Sequence, residues 1–273
     1  MIGLIGLGQM GGAMARRLVE QGQVPRVWDS HGPARDRAAG QVVDGPAACA
    51  APVVILSLPD AGAVAAVLAA LLPAMPPGGV VVDTSTLDPL AAREVAARAA
   101  YLDAPVSGGP AGAAAGTLTM MLGGEAAALE RARPALSLLA SRIIHVGGAG
   151  AGQAAKLVNN LLVATHLAAA GEAMRLGAAA GVGPEALLAV VNAASGRSAA
   201  TEVNWPRWVL NGAFDSGFTA GLMRKDVRLA MALAEATGTP LATCAAAASA
   251  WAASDIADAE DFNRVSARIG GIA

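Results

Sequence analysis

Met1-Ile2-Gly3-Leu4-Ile5-Gly6-Leu7-Gly8-Gln9-Met10-Gly11 opens the chain, and its reading decides the first fold unit. Ile2, Leu4 and Ile5 make a short buried strand. Gly6, Gly8 and Gly11 follow at the spacing G-x-G-x-x-G, and an apolar helix is predicted over 10–20. A strand, a glycine turn and a helix in this order form a dinucleotide-binding unit. Gly6 permits the tight turn, Gly8 lets the backbone approach a pyrophosphate, and Gly11 lets helix and strand pack closely. Gln9 and Met10 then sit at the helix start, where unpaired N–H groups and the positive end of the helix dipole favour phosphate.

Outward from this unit, short apolar runs alternate with helical stretches. Strands are predicted at 2–5, 24–28, 53–58, 79–83, 101–104, 118–122 and 143–146, and helices at 10–20, 61–72, 90–100 and 125–139. That alternation predicts an α/β fold, a Rossmann-type doubly wound, mostly parallel sheet. The run Gly147-Gly148-Ala149-Gly150-Ala151-Gly152 reads as a hinge or linker, after which the pattern is helical throughout. Helices are predicted at 153–180, 184–194, 204–210, 222–237, 241–254 and 261–269. The division is therefore a dinucleotide-binding domain over 1–148 and an all-helical substrate and dimerisation domain over 149–273.

Composition narrows the function classes. With 273 residues, 55% hydrophobic and 15% charged, the chain is long enough to bury a sizeable core and is not disordered. A net charge of −2 excludes a broad nucleic-acid-binding surface. Cys49 and Cys244 show no C-x-x-C pattern and read as reduced, packed residues. His31, His145 and His166 form no ligand cluster, so no metal site is expected. Residues 61–82 are uncharged and span a bilayer's length, but Pro73, Pro76, Pro77, Gly78 and Gly79 break them into a helix and a strand. The start lacks a basic n-region. These features read as a cytoplasmic protein without membrane or nucleic-acid partners.

Val27-Trp28-Asp29 ends the second strand with a carboxylate, where an adenosine ribose is bound. Asp29 repels a 2′-phosphate and so favours NAD, while nearby Arg35 and Arg37 leave NADP open. A cofactor alone leaves the reaction undefined. Three further segments hold polar residues or glycines in apolar surroundings: Asp83-Thr84-Ser85-Thr86, Asp103-Ala104-Pro105-Val106-Ser107-Gly108-Gly109-Pro110, and Lys156-Leu157-Val158-Asn159-Asn160. Lys156 and Asn160 are four apart and share a helix face. From the helix alone, a polar cleft and a solvated face are equal readings.

Together these segments resemble, in order, the motifs of the β-hydroxyacid dehydrogenase family, nearest its 3-hydroxyisobutyrate dehydrogenase and tartronate semialdehyde reductase branch. Gly6-Leu-Gly-Gln-Met-Gly11 is similar to the N-terminal fingerprint, and Asp83-Thr84-Ser85-Thr86 through Pro89 to the middle strand-end motif. Asp103 to Gly109, with Gly112, Ala113 and 116–119, resembles the substrate motif. Gly150-x-Gly152-x-x-x-Lys156-x-x-Asn159-Asn160 resembles the catalytic motif, and Lys225-Asp226 the cofactor-closing pair. The match covers nearly the whole chain. It departs at Arg17, where the family often carries Asn, and in two connections that look short, around 42–51 and 99–101.

The resemblance implies roles. Lys156 is the general acid/base, Asn160 bonds the substrate, and Asn159 supports the site. Ser107, Gly108 and Gly109 hold the carboxylate of a small 3-hydroxy acid. Leu58, Pro59, Thr86 and Lys225 join Gly6, Gly8, Gln9, Met10, Gly11 and Asp29 around NAD, with Thr86 near the nicotinamide ribose. A free lysine with pKa about 10.4 is a poor base at neutral pH; burial in an apolar cleft beside a positive nicotinamide ring lowers that value. An apolar long helix and the resemblance imply a homodimer or homotetramer, with the active cleft between the domains. Two other readings are an imine reductase on the same scaffold and a non-catalytic dinucleotide-binding module. Lys156 speaks against the first, since imine reductases usually carry Asp or Tyr at the matching position. The retained Lys156 and Asn160 speak against the second.

Overall fold

A computed structural model describes Met1–Gly271, and Cα packing divides the chain into two compact units that part at Lys156/Leu157. The first unit is built on one sheet. Its strands are β1 (Ile2–Ile5), β2 (Arg26–Trp28), β3 (Gln41–Val42), β4 (Val53–Leu56), β5 (Val80–Asp83), β6 (Tyr101–Asp103), β7 (Val106–Ser107), β8 (Leu118–Gly123) and β9 (Ala140–Gly147). They run in the order β3-β2-β1-β4-β5-β6-β8-β7, with β9 on the other edge of β8. Pairing is parallel from β3 to β6 and between β8 and β9; β8 lies antiparallel to β6 and β7. The helices are α1 (Gln9–Glu20), α2 (Gly32–Asp36), α3 (Ala61–Leu71), α4 (Pro89–Ala96), α5 (Gly109–Ala115) and α6 (Ala126–Leu136).

Alternation along the strands separates two cores. Leu4, Ile55, Val82 and Leu102 face one side, under Met14 and Leu18 of α1 and Leu129 and Leu136 of α6. Ile5, Leu56, Val81 and Tyr101 face the other, under Val64, Leu68 and Leu71 of α3 and Ala92 of α4. A sheet buried on both faces needs continuous apolar strands, and β1, β4 and β5 are buried at every position. The structure therefore has the Rossmann-type doubly wound architecture.

Several boundaries differ from those expected. β2 begins at Arg26 because Pro25 brings no N–H to the ladder. β4 stops at Leu56, as Pro59 follows shortly, and α4 stops at Ala96 because Tyr101 must already be extended to pair with Val81. β3 and α5 had no sequence signal: the first has two residues, and the second reads Gly-Pro-Ala-Gly-Ala-Ala-Ala. α5 is held by packing on α1.

The second unit is helical. α7 (Ala151–Ala179) starts in the first unit and continues into the second, followed by α8 (Pro184–Ala193), α9 (Ala220–Ala236), α10 (Ala242–Ala253) and α11 (Asn263–Gly270). Between α8 and α9, residues Ala200–Val209 form a π-helical segment in which Leu210 N–H reaches back five residues to Trp205 O. Trp205 and Trp251 are fully buried. Trp205 Nε1 donates to Ser266 Oγ at 3.0 Å, and Trp251 Nε1 to Ala164 O at 2.9 Å. Each indole thus buries its ring without leaving its donor unpaired.

The glycine run before α7 is not a loose linker. A Cβ on Gly152 would stand 2.4 Å from Met121 O, 2.5 Å from Asp103 O and 2.8 Å from Gly123 N, all backbone atoms. The first turn of α7 therefore rests directly on the ends of β6 and β8. Gly152→Ala forces these elements apart and is expected to destabilise the protein by about 1–3 kcal/mol. Urea denaturation reads the change as a lowered midpoint; an unchanged midpoint contradicts the packing described.

Candidate active site

Gly6 donates its N–H to Trp28 O at 2.9 Å and turns the chain out of β1. A Cβ on Gly11 would lie 1.8 Å from Gly6 O, so only glycine lets α1 sit this close to the strand it follows. α1 begins without a side-chain cap and without an acidic residue in its first turn, so its leading N–H groups are left for an anion. Beyond Gly8 and its two chain neighbours, no heavy atom lies within 4 Å of a Cβ placed on Gly8. Beside this loop lies a cavity of ≈ 360 Å³ whose lining includes Gly8, Gln9, Gly12, Arg16, His31 and Arg37. Asp29 stands at the end of β2. Its Oδ2 accepts Leu7 N–H at 2.6 Å and its Oδ1 accepts His31 N–H at 2.8 Å. A carboxylate accepts more than one bond per oxygen, so Asp29 keeps capacity for ribose hydroxyls. Arg35 donates to Asp29 O and Ser30 O at 2.5 and 3.2 Å, whereas Arg37 lines the cavity. These residues fit a dinucleotide.

The ends of β4 and β5 are tied together. Leu58 N–H donates to Ser85 Oγ at 2.9 Å, and Thr84 Oγ1 to Leu56 O at 2.6 Å. Pro59 follows Leu58, and Thr86 stands half-buried beyond Ser85. Asp83 and Asp103 are direct neighbours in the register of β5 and β6, and both are fully buried. Asp83 accepts Ser85 N–H at 2.9 Å and the Tyr101 hydroxyl at 2.7 Å. Burial pushes the Asp83 carboxyl above the usual range against these bonds, and nearby Asp103 adds to the rise. Burial likewise raises Asp103, although two backbone N–H groups of the α7 start oppose it. Those are Gly150 N–H on Oδ1 and Gln153 N–H on Oδ2, each at 2.8 Å.

Ser107 ends β7, and Gly108 and Gly109 carry the chain into α5 with φ of +124° and +63°. Glycine is the residue that tolerates two such values in succession. Lys156 is buried, with its Nζ 2.8 Å from Val106 O. Ser107, Gly108 and Gly109 therefore begin one residue from the carbonyl that Lys156 touches. In the second unit, Asn160 is buried and donates through Nδ2 to Asp226 at 2.6 Å; its Oδ1 accepts Asn159 Nδ2 at 3.0 Å. Lys225 Nζ is 3.6 Å from Asp226 Oδ1. Asn160 and Lys225 thus meet on Asp226. Among the described residues, no group of three or more His, Cys, Asp or Glu side chains is arranged to hold a metal ion.

Residues 1–147 match the family model described as the NAD binding domain of 6-phosphogluconate dehydrogenase, and residues 150–267 match the NAD-binding model of NADP-dependent 3-hydroxyisobutyrate dehydrogenase. The chain belongs to the β-hydroxyacid dehydrogenase family. It is accordingly an NAD-dependent oxidoreductase of small hydroxy acids. A solved structure of Mycobacterium tuberculosis 3-hydroxyisobutyrate dehydrogenase with L-serine is 39% identical, with 98% of each chain covered and a TM-score of 0.91. NAD-dependent L-serine dehydrogenase of Pseudomonas aeruginosa is 40% identical over 89% of each chain. 2-(Hydroxymethyl)glutarate dehydrogenase of Eubacterium barkeri is 38% identical over 88% of this chain and 84% of its own.

Within this dehydrogenase, sequence reasoning quoted Asp83, Asp103 and Asp226 inside motifs without giving them partners, and left Gln153 unmarked. Apart from Ser85 beside Asp83 and Lys225 beside Asp226, their partners lie between 18 and 68 residues away and carry no local pattern. The raised Asp83 carboxyl has a consequence for stability. A group whose folded value lies above the unfolded value of about 3.9 stabilises the fold below that pH, and the contribution is lost as pH rises through the folded value. Asp83→Asn removes this loss. Its melting temperature is expected to fall less than that of the unaltered protein as pH rises from acid to neutral, read by thermal denaturation across pH; parallel curves contradict the assignment.

Proposed function

We propose that the chain oxidises a small 3-hydroxy carboxylate of the 3-hydroxyisobutyrate or L-serine type to its semialdehyde or oxo acid, reversibly, with Lys156 as the general acid/base. One observation carries this reading: a buried lysine amine, 2.8 Å from Val106 O, one residue before the Ser107-Gly108-Gly109 turn. A carboxylate needs N–H and hydroxyl donors, and the turn supplies both types. A hydroxyl two carbons from that carboxylate needs a proton acceptor close by, and Lys156 supplies it. NAD held by the glycine loop and Asp29 would supply the hydride acceptor. Lys156 Nζ accepts the hydroxyl proton as the C–H bond breaks, and in the reverse direction returns it to the forming alkoxide.

Asn160 is the proposed substrate-bonding amide. Asp226 accepts its Nδ2, which fixes the amide with its oxygen toward Asn159. Gly6, Gly8, Gln9, Met10, Gly11, Asp29, Leu58, Pro59, Thr86 and Lys225 are the proposed cofactor contacts. The names of the similar proteins, L-serine dehydrogenase and 3-hydroxyisobutyrate dehydrogenase, share one substrate pattern: a carboxylate, one intervening carbon and a primary alcohol. The proposed assembly is a homodimer or homotetramer. Val158, Leu162 and Leu176 support it: all are exposed on α7, at helical spacing that puts them in one stripe. The proposed compartment is the cytoplasm; among the described residues no helix is long and apolar enough to cross a membrane.

Lys156→Ala is expected to lower kcat by about 10²–10⁴-fold and to leave NADH affinity unchanged. Steady-state rates and an NADH fluorescence titration measure the two separately, and near-unaltered turnover overturns the assignment. A rate panel of 3-hydroxyisobutyrate, glycerate, serine, threonate and 3-hydroxypropionate identifies the substrate. Light scattering reads the assembly, and a monomeric mass overturns it.

A further inference from the structure

Gln153 is fully buried, one helical turn before Lys156 on α7. Its side chain spends both ends on backbone. Nε2 donates to Ser85 O at 2.8 Å, and Oε1 accepts Leu87 N–H at 2.9 Å. These two groups flank Thr86, so the amide acts as a short piece of neighbouring strand for the loop that follows β5. An amide of glutamine length offers a donor to one and an acceptor to the other at once. The backbone of the same residue is held too, since Gln153 N–H donates to Asp103 Oδ2 at 2.8 Å. One turn on, Lys156 reaches Val106 O. Residues at i and i+3 lie on one helix face, so the rotation and height of that face are shared by Gln153 and Lys156.

We infer that Gln153 is a positioning residue, which fixes the Thr86 loop and the Lys156 amine relative to each other through one rigid turn of helix. This rests on the reading of Lys156 as acid/base and of Thr86 as a cofactor contact. Any shift of the Thr86 loop is then transmitted to the turn that carries Lys156. Cofactor affinity and proton transfer are set by one side chain that touches neither cofactor nor substrate.

Two variants test this. Gln153→Leu keeps the volume and loses both bonds. Misplacing the reacting groups by about 1 Å lowers kcat by about 100-fold, and releasing the Thr86 loop weakens NADH binding by about fivefold. The KM for the hydroxy acid stays unchanged. Gln153→Glu is conditional. As the neutral acid it has one donor for Ser85 O and one acceptor for Leu87 N–H; ionised, it has no donor. Titratable and charged groups around this contact are Asp103 at the Gln153 N–H, Asp83 at the Ser85 N–H, Asp88 next to Leu87, Arg93 of α4 at Ala149 O, and Lys156 one turn along α7. Gln153→Glu is expected to approach unaltered kcat and NADH affinity at low pH and to lose both together as its carboxyl ionises. That joint loss is a signature a merely structural side chain does not give.

NADH fluorescence titration, kcat and KM across pH, and circular dichroism are measured on both variants. If Gln153→Leu does not fold, Gln153→Glu decides alone. Unaltered NADH affinity and an unaltered pH profile in folded Gln153→Glu overturn the inference. Failure of both variants to fold also overturns it, by making Gln153 a structural residue. Should the unaltered protein oxidise no hydroxy acid, the catalytic reading fails, while the NADH titrations of the Gln153 variants still decide the coupling.

Discussion

Two N–H groups from the start of α7, those of Gly150 and Gln153, end on one buried carboxylate, Asp103. A helix start buried without partners leaves N–H donors unsatisfied, each costing about 1–3 kcal/mol. Asp103 meets two of them and places a negative group at the positive end of the helix dipole. The carboxyl in turn is kept above its ordinary range by burial, despite those bonds. Strand ends and helix start are thus mutually dependent. Gly152 makes the approach possible, because any side chain there would meet the backbone of β6 and β8. Lys156 inherits its position from this arrangement.

The sheet explains why the polar residues gather where they do. β1, β4, β5 and β6 are parallel, so their carboxyl ends share one edge, and the loops leaving that edge carry Gly6, Leu58 and Thr86. Open parallel sheets bind ligands in this position. β8 departs from the pattern by running antiparallel to β6 and to β7, and β7 keeps the direction of β6 after Pro105 has interrupted the strand that begins at Tyr101. Val106, Ser107 and the glycine turn thus lie beyond the carboxyl end of β6, on the same edge.

Much of this was legible in the sequence. β1, α1 and the glycine loop follow from residue type alone, because the spacing of small residues is itself the requirement for close packing. α3 and β5 were separable within an uncharged run because Pro73, Pro76 and Pro77 stop a helix. Lys156, Asn160 and the Ser107-Gly108-Gly109 turn stood out as polar or glycine residues in apolar surroundings. The rest depended on partners far along the chain. Gln153 looks like any helix glutamine until Ser85 and Leu87 are brought to it from 68 and 66 residues away. The run 147–152 looks like a linker until the sheet edge is laid beneath it. The π-helical winding over Ala200–Val209 has no periodicity of its own, and tertiary packing of Trp205 against Ser266 outweighs the presence of Pro206 within it.

Val106 O, the acceptor that Lys156 touches, has a property that a carboxylate partner lacks. A carboxylate draws strongly on an ammonium and far less on a neutral amine, so a lysine paired with one resists losing its proton and loosens once it has. A neutral carbonyl accepts an N–H from either form. The bond to Val106 O can therefore be made on both sides of a proton transfer. The backbone of β7 thus offers Lys156 an acceptor that serves the ammonium and the neutral amine, although it holds the ammonium more strongly.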